Sequence, residues 1–219
     1  TGYESRIWQR MGELGWPGIS LADEVGGAGL GIGYAVPVFE ARGGGLLGTP
    51  LLSTTIAGQL IWRAAGEKAA DWLGRLCGGQ IGTVALLDHA DWGVPNTGLK
   101  LDETGSLSGR KHFVADAGVA DIFVVVANEN GTPVLALVER NALASDAFSE
   151  NVLIDLTKRA ANVDFTGVTP AHVVRGDSVA SALRDTLLLG ALLTAAETTG
   201  AAGRCLSSIT EYLKTRKQF

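Results

Sequence analysis

The residue types that could do chemistry in this chain fall into a few small groups. Asp88 and His89, with Asp91 close behind, set an imidazole among carboxylates, a grouping suited to proton transfer or metal binding. No second histidine stands at ligand spacing, so the group reads as a solvated turn and no metal site is expected. Asp185 and Glu197 are carboxylates in an otherwise apolar stretch, where burial would raise a pKa toward that of a base. Nothing around them marks either as one, and both read as polar or interface positions. Cys77 and Cys205 are isolated from each other and from other metal ligands, and read as two buried, reduced thiols. Tyr212, Arg216 and Phe219 put a cation between aromatics near the end of a helical stretch. By itself Arg216 reads as a basic residue near a helix C-terminus, favoured by the dipole.

Composition narrows the classes. Of the 219 residues, 46% are hydrophobic and 19% charged, which fits a packed chain with a sizeable core rather than a disordered one. A net charge of −5 with no basic stripe argues against nucleic acid as a partner. The apolar run Leu187 to Ala196 is too short to span a bilayer. No secretory signal opens the chain, and Thr1 in place of Met suggests trimming or missing upstream residues. A cytoplasmic location is the expectation.

The elements that must position these groups change in texture along the chain. Ile7, Met11 and Leu14 mark a first helix that closes at Gly15-Trp16-Pro17-Gly18. Glu24 to Gly31 holds too many glycines for helix or strand and is a loop; with no strand before it, it is not a nucleotide fingerprint. Further helices are predicted over Tyr34 to Arg42, ended by Gly43-Gly44-Gly45, then over Ser53 to Ala65 and Glu67 to Cys77. After Gly78-Gly79 come short β-prone runs at Thr83–Leu87, Ser106–Val114, Ile122–Ala127, Val134–Glu139 and Asn162–Phe165. Asn128-Glu129-Asn130-Gly131 reads as a hairpin loop between two of them. Beyond Gly176 a long helix is predicted, capped by Asp177 or Ser178, with Leu183, Leu187, Gly190, Thr194, Glu197, Ala201 and Cys205 along one face.

Helices, an antiparallel β region and a long helix, in that order, resemble the acyl-CoA dehydrogenase family. The expected fold class is α+β: a helical N-terminal domain over 1–79, an antiparallel β-barrel or sandwich over 80–175, and the start of a C-terminal helical bundle over 176–219. Specific motifs add to the resemblance. Met11-Gly12-Glu13-Leu14-Gly15-Trp16 with Glu24-Val25-Gly26-Gly27-Ala28-Gly29-Leu30 is similar to the family's leucine-glycine-tryptophan turn and glutamate-glycine-glycine loop. Gly109-Arg110-Lys111-His112-Phe113-Val114-Ala115-Asp116 resembles its Gly-x-Lys-x-Trp-Ile-Thr-Asn stretch, and Tyr212, Arg216 and Phe219 its Tyr-x-x-x-Arg-x-x-Phe helix end. The family's first helix or two and most of its C-terminal bundle have no counterpart in this sequence.

The resemblance implies FAD as cofactor and α,β-dehydrogenation of an acyl-CoA thioester, with electron-transfer flavoprotein or a similar acceptor and a homo- or hetero-oligomeric assembly, dimer or tetramer. It places Phe113 where the family has a flavin-covering tryptophan, and Ala115 where it has a threonine whose hydroxyl bonds near flavin N5. Alanine has no such donor. Leu87 and Asp88 fall where the family writes a threonine-glutamate pair touching flavin and acyl-CoA; the glycine-serine pair that follows it is absent here. Arg216 would reach the pyrophosphate of an FAD held by a neighbouring subunit, and Phe219 would accompany it. The family's catalytic glutamate aligns beyond Phe219 or, in some relatives, at Gly190, so no base is assignable. The alternatives are a flavin-deficient partner subunit of a heteromeric dehydrogenase, for example one acting on steroid-side-chain CoA thioesters, or a structural relative without cofactor.

Overall fold

The computed structural model describes residues 3–89 and 98–218. Its first helix, α1 (Ser5–Glu13), buries Trp8 and Met11 on one face, and the Trp8 indole donates to the Gly79 carbonyl at 2.8 Å. The glycine-rich loop after it holds only short 3₁₀ turns, at Asp23–Val25 and Ile32–Tyr34. Next come α2 (Ala35–Gly44), α3 (Leu51–Ala65) and α4 (Ala70–Cys77). Helix α2 runs through Gly43 and Gly44 rather than ending before them, because those glycines serve a helix crossing, described below.

Nine strands are described: β1 (Gly82–Ala85), β2 (Lys100–Leu101), β3 (Leu107–Ser108), β4 (Arg110–Ala115), β5 (Ile122–Glu129), β6 (Thr132–Glu139), β7 (Phe148–Glu150), β8 (Ala160–Asp164) and β9 (His172–Val174). They form a larger sheet in the order β3-β2-β5-β6-β9, with β1 on the other part of β5, and a smaller sheet in the order β4-β8-β7. Most pairs are antiparallel, but β1 and β2 both run parallel to β5, unlike the purely antiparallel region expected. The β5–β6 hairpin turns on Asn130 and Gly131, both at positive φ (51° and 88°), as a tight two-residue connection requires.

Strand β5 is buried from Ile122 to Ala127 without alternation, which fits a strand covered on both faces. Ile122, Val124 and Val126 cluster with Leu60, Ile61, Leu73 and Leu76 of the helices. Phe123, Val125 and Ala127 turn the other way, toward Val114, Val163 and Phe165 of the small-sheet layer. The Phe123 and Phe165 rings meet edge to face at 6.1 Å. The helical layer, the large sheet and the small sheet thus share one strand as their common wall.

The last element, α5 (Ser178–Thr215), is 38 residues long, about 57 Å at the usual helical rise. Asp177 stands at its N-cap position without a side-chain capping bond, and the Ser178 hydroxyl donates to the Ala64 carbonyl at 2.7 Å. Val179, Ala182, Thr186, Leu189, Leu193 and Ala196 are buried, whereas every described residue from Ala202 onward is exposed. Cys205 lies on that exposed half, so only Cys77, half-buried, keeps some of the shelter expected of both thiols. By length and composition α5 could cross a membrane, but its first half packs on α2 and α3.

Candidate functional site

Two adjoining cavities lie where α3, β1, β4 and α5 meet. The first, of about 450 Å³, has apolar walls from Leu52, Ile56, Val84, Phe113 and Leu153, with Arg42, Lys158 and Arg159 among its charged lining residues. The second, of about 290 Å³, lies between α3 and α5 and is lined by Leu60, Leu183, Thr186 and Gly190 among others. Leu52, Ile56 and Val84 line both, so they form one slot. The α5 face read from the sequence is the one turned to this slot, from Leu183 to Thr194.

Local backbone geometry puts the β4 residues there. The β4–β8 register shifts between Lys111 and Val114, and such a bulge re-aims side chains. Phe113 sits in it at φ 49°, a conformation costly for a bulky residue, with its N–H donated to Asn162 Oδ1 at 3.2 Å. Its half-buried side chain lines the slot. Ala115 lies on the slot wall, exposed, and its carbonyl accepts from the Thr83 hydroxyl at 2.6 Å. That bond commits the Thr83 hydroxyl, leaving no side-chain donor at the position where a threonine would supply one.

The charged end of the slot is a connected network. Asp116, at φ 54°, accepts from Arg159 Nη2 at 2.7 Å and Nε at 3.0 Å, and from the Ser53 hydroxyl at 2.7 Å. Arg42, 4% exposed, donates to Glu197 and, at 2.9 Å, to the Thr49 carbonyl. Lys158 donates to the other oxygen of Glu197. Burial pushes the Arg42 guanidinium below its ordinary pKa, and Glu197 pulls it back. Among the described residues, Arg42 Nε, Thr49 Oγ1, Thr55 Oγ1, Asn151 Oδ1 and Thr186 Oγ1 are buried without a hydrogen-bond partner. Arg42, Thr49 and Thr186 line the slot.

The other residues singled out in the sequence are placed elsewhere. Asp88 is buried away from the slot: it holds the Lys111 ammonium at 2.7 Å and accepts the Gly98 and Leu99 N–H groups at 2.9 and 3.0 Å. Burial lowers the Lys111 pKa against that bond. Leu87 is half-buried and bridges to His112 through its carbonyl at 2.7 Å. No metal-binding cluster occurs among the described residues; Asp91 and Phe219 lie outside them. Asp185 faces Arg63 at 3.7 Å, and Glu197 is an ion-pair hub rather than a base. Arg216 is exposed, with its guanidinium 5.2 Å from the Tyr212 ring centroid, and the end of α5 just before it lies about 27 Å along the helix from Glu197. The structure therefore brings Phe113 and Ala115 together and leaves Asp88 and Arg216 apart from them. Sequence reasoning missed Arg42, Ser53, Lys158 and Arg159, which carry no motif.

Residues 1–80 match the family model described as "Acyl-CoA dehydrogenase, N-terminal domain". The whole chain is 29% identical to Acyl-CoA dehydrogenase IpdE2 of Mycolicibacterium smegmatis, of which it spans 57%. Over 57% of its length it is 31% identical to L-prolyl-[peptidyl-carrier protein] dehydrogenase of Pseudomonas fluorescens, covering 36% of that protein. A solved variant of the Tcur3481-Tcur3483 steroid ACAD superposes over 99% of this chain and 59% of its own, with a TM-score of 0.83 and 28% identity. The chain therefore spans little more than half the length of the curated relatives it matches end to end. Residues 1–80 thus match an acyl-CoA dehydrogenase N-terminal domain, and over its whole length the chain is similar in sequence and fold to acyl-CoA dehydrogenases.

Proposed function

We propose that this chain is part of an FAD-dependent acyl-CoA dehydrogenase that introduces an α,β double bond into an acyl thioester. The observation carrying this reading is the slot itself: an apolar channel between α3 and α5 that passes the strained aromatic Phe113. The residues fit a flavin ring, because Leu52, Ile56, Val84 and Phe113 offer a flat, planar group an apolar bed. When bound, FAD would supply the acceptor for the hydride leaving the β-carbon. The apolar walls exclude water from the reacting carbons and so strengthen any dipole aimed at the thioester. Thr186 contributes a buried hydroxyl at the second cavity. Arg216 acts across an interface on a second chain, consistent with its distance from its own slot.

A second reading, that this is the partner subunit of a heteromeric dehydrogenase, is favoured by two positions. Ala115 lacks the hydroxyl, and Gly190 leaves the second cavity without a carboxylate among the described residues. Glu197 and Asp116 are held by cations and cannot take the α-proton. On either reading the base is supplied from outside these residues. The solved ChsE4-ChsE5 complex from Mycobacterium tuberculosis shares the fold. The test is flavin bound per chain, from the absorption spectrum, for the full-length protein alone and co-expressed with a homologous chain. About one flavin per chain in the protein alone supports the catalytic reading. Flavin and activity only on co-expression support the partner subunit, and flavin in neither state rejects both.

A further inference from the structure

We infer that the acyl group carries a neutral oxygen, a ketone or hydroxyl, bound by the Thr186 hydroxyl in the second cavity; this rests on the acyl-thioester reading above. Helix α5 buries Val179, Ala182, Thr186, Leu189, Leu193 and Ala196, and Thr186 is the one polar residue of that stripe. It is 4% exposed, and its Oγ1 has no hydrogen-bond partner among the described residues. Other threonines of α5 satisfy theirs within the helix. Thr198, Thr199 and Thr210 donate to the carbonyls of Thr194, Ala195 and Leu206 at 2.8, 2.9 and 2.8 Å. Those three are exposed, whereas the buried Thr186 makes no such bond. A valine would fill the same volume without leaving a buried hydroxyl unpaired.

The cavity is what this hydroxyl meets. Leu52, Ile56 and Val84 are shared with the first cavity and stay with the flavin bed. Past them, Leu60, Leu86, Leu183 and Leu187 surround Thr186, and no charged side chain is among the described residues of the lining. A lone water there would want two to four polar partners. The other hydroxyl of the lining, on Thr194, stands two turns away, about 12 Å along the helix. The missing partner therefore arrives on the ligand, as one oxygen on an apolar frame. It is neutral, because an ion in this apolar pocket would have no countercharge. Gly190 lies one turn from Thr186, about 6 Å, so the oxygen sits several carbons from any ligand carbon beside Gly190.

The probes are octanoyl-CoA and its 5-, 6- and 7-oxo derivatives, titrated calorimetrically into the full-length protein with its flavin or partner chain as isolated. A ketone suffices, because a hydroxyl rotor can always donate to it. At least one oxo-thioester should bind about fivefold more tightly than octanoyl-CoA, the effect of one neutral hydrogen bond. Thr186→Val should abolish the preference and Thr186→Ser should keep it, with no fall in the melting temperature of Thr186→Val. Equal affinities, or a preference that survives Thr186→Val, would overturn the inference. So would a clear fall in that melting temperature, since the hydroxyl would then be bonded within the fold. If no thioester binds, the acyl-CoA reading fails, and acetophenone and ethylbenzene read the cavity alone. A preference for the ketone that Thr186→Val removes sustains the inference, and equal or absent binding ends it.

Discussion

Gly43 of α2 packs so closely on Glu197 of α5 that a Cβ at position 43 would fall 1.8 Å from the Glu197 carbonyl oxygen. Gly200 repeats the contact from the other helix, 1.8 Å from the Glu40 carbonyl. The crossing seats Arg42 against Glu197. Gly43→Ala or Gly200→Ala should force the helices apart and lower stability by about 1–3 kcal/mol or more. Chemical denaturation reads this as a lower midpoint at unchanged slope; an unchanged midpoint would mean the crossing is loose.

Glu197 is the shared counterion of Arg42 and Lys158, whose side chains are 2% and 38% exposed. Glu197→Gln strands the buried guanidinium and should cost about 3 kcal/mol. Lys158→Met, at the wetter end, should cost under about 1 kcal/mol. Equal losses in the two variants would show that Arg42 is not the residue at stake.

Phe113 occupies a left-handed conformation that asparagine adopts readily. Phe113→Asn should relieve about 1 kcal/mol of backbone strain and offset part of the lost packing. Its melting temperature should then stay near that of the parent while flavin retention falls. A parallel loss of both would make Phe113 a packing residue only.

Ala115 stands on the slot wall with no hydroxyl to offer. Ala115→Thr suits a strand and adds a donor, and should tighten flavin binding about fivefold, or about 1 kcal/mol. Fluorescence titration with FAD checks this, and no change would remove position 115 from the cofactor's polar edge.

Asp164 closes strand β8, accepting the Thr166 N–H at 2.9 Å and an Arg110 N–H at 3.2 Å. The Thr166 N–H and hydroxyl, then Arg110, hold its pKa below the ordinary 3.8. The stabilisation is complete above pH 3.8 and is lost as pH falls through the depressed value. The stability gap between parent and Asp164→Asn should therefore be flat near neutrality and close in acid. A gap that persists in acid would assign the effect to side-chain shape.

How far the sequence could be read depended on the range of the forces involved. The β5–β6 hairpin was legible because Asn130-Gly131 demands one kind of turn, and α3 because its apolar residues recur at helical spacing. Strands β2, β7 and β9 were not, being two or three residues long and held by distant partners. The parallel pairing of β1 with β5 joins residues about forty positions apart, beyond any local pattern. In the site, Phe113 and Ala115 were found through a motif. Arg42 was not: a basic residue before three glycines looks like a solvated helix end, and only the glycine crossing buries it. Asp88 was placed beside the ligand by the resemblance alone, and its ion pair with Lys111, 23 residues away, has no local signature.

The reach of α5 has a consequence for how the protein behaves on dilution. The end of α5, just before Arg216, lies about 27 Å along the helix from the network at Glu197, and on the function proposed above Arg216 would serve a site on another molecule. Occupancy of that site is then set by mass action between chains as well as by the amount of cofactor. On that reading the protein would load cooperatively with its own concentration, and the active fraction would follow how much of it is made.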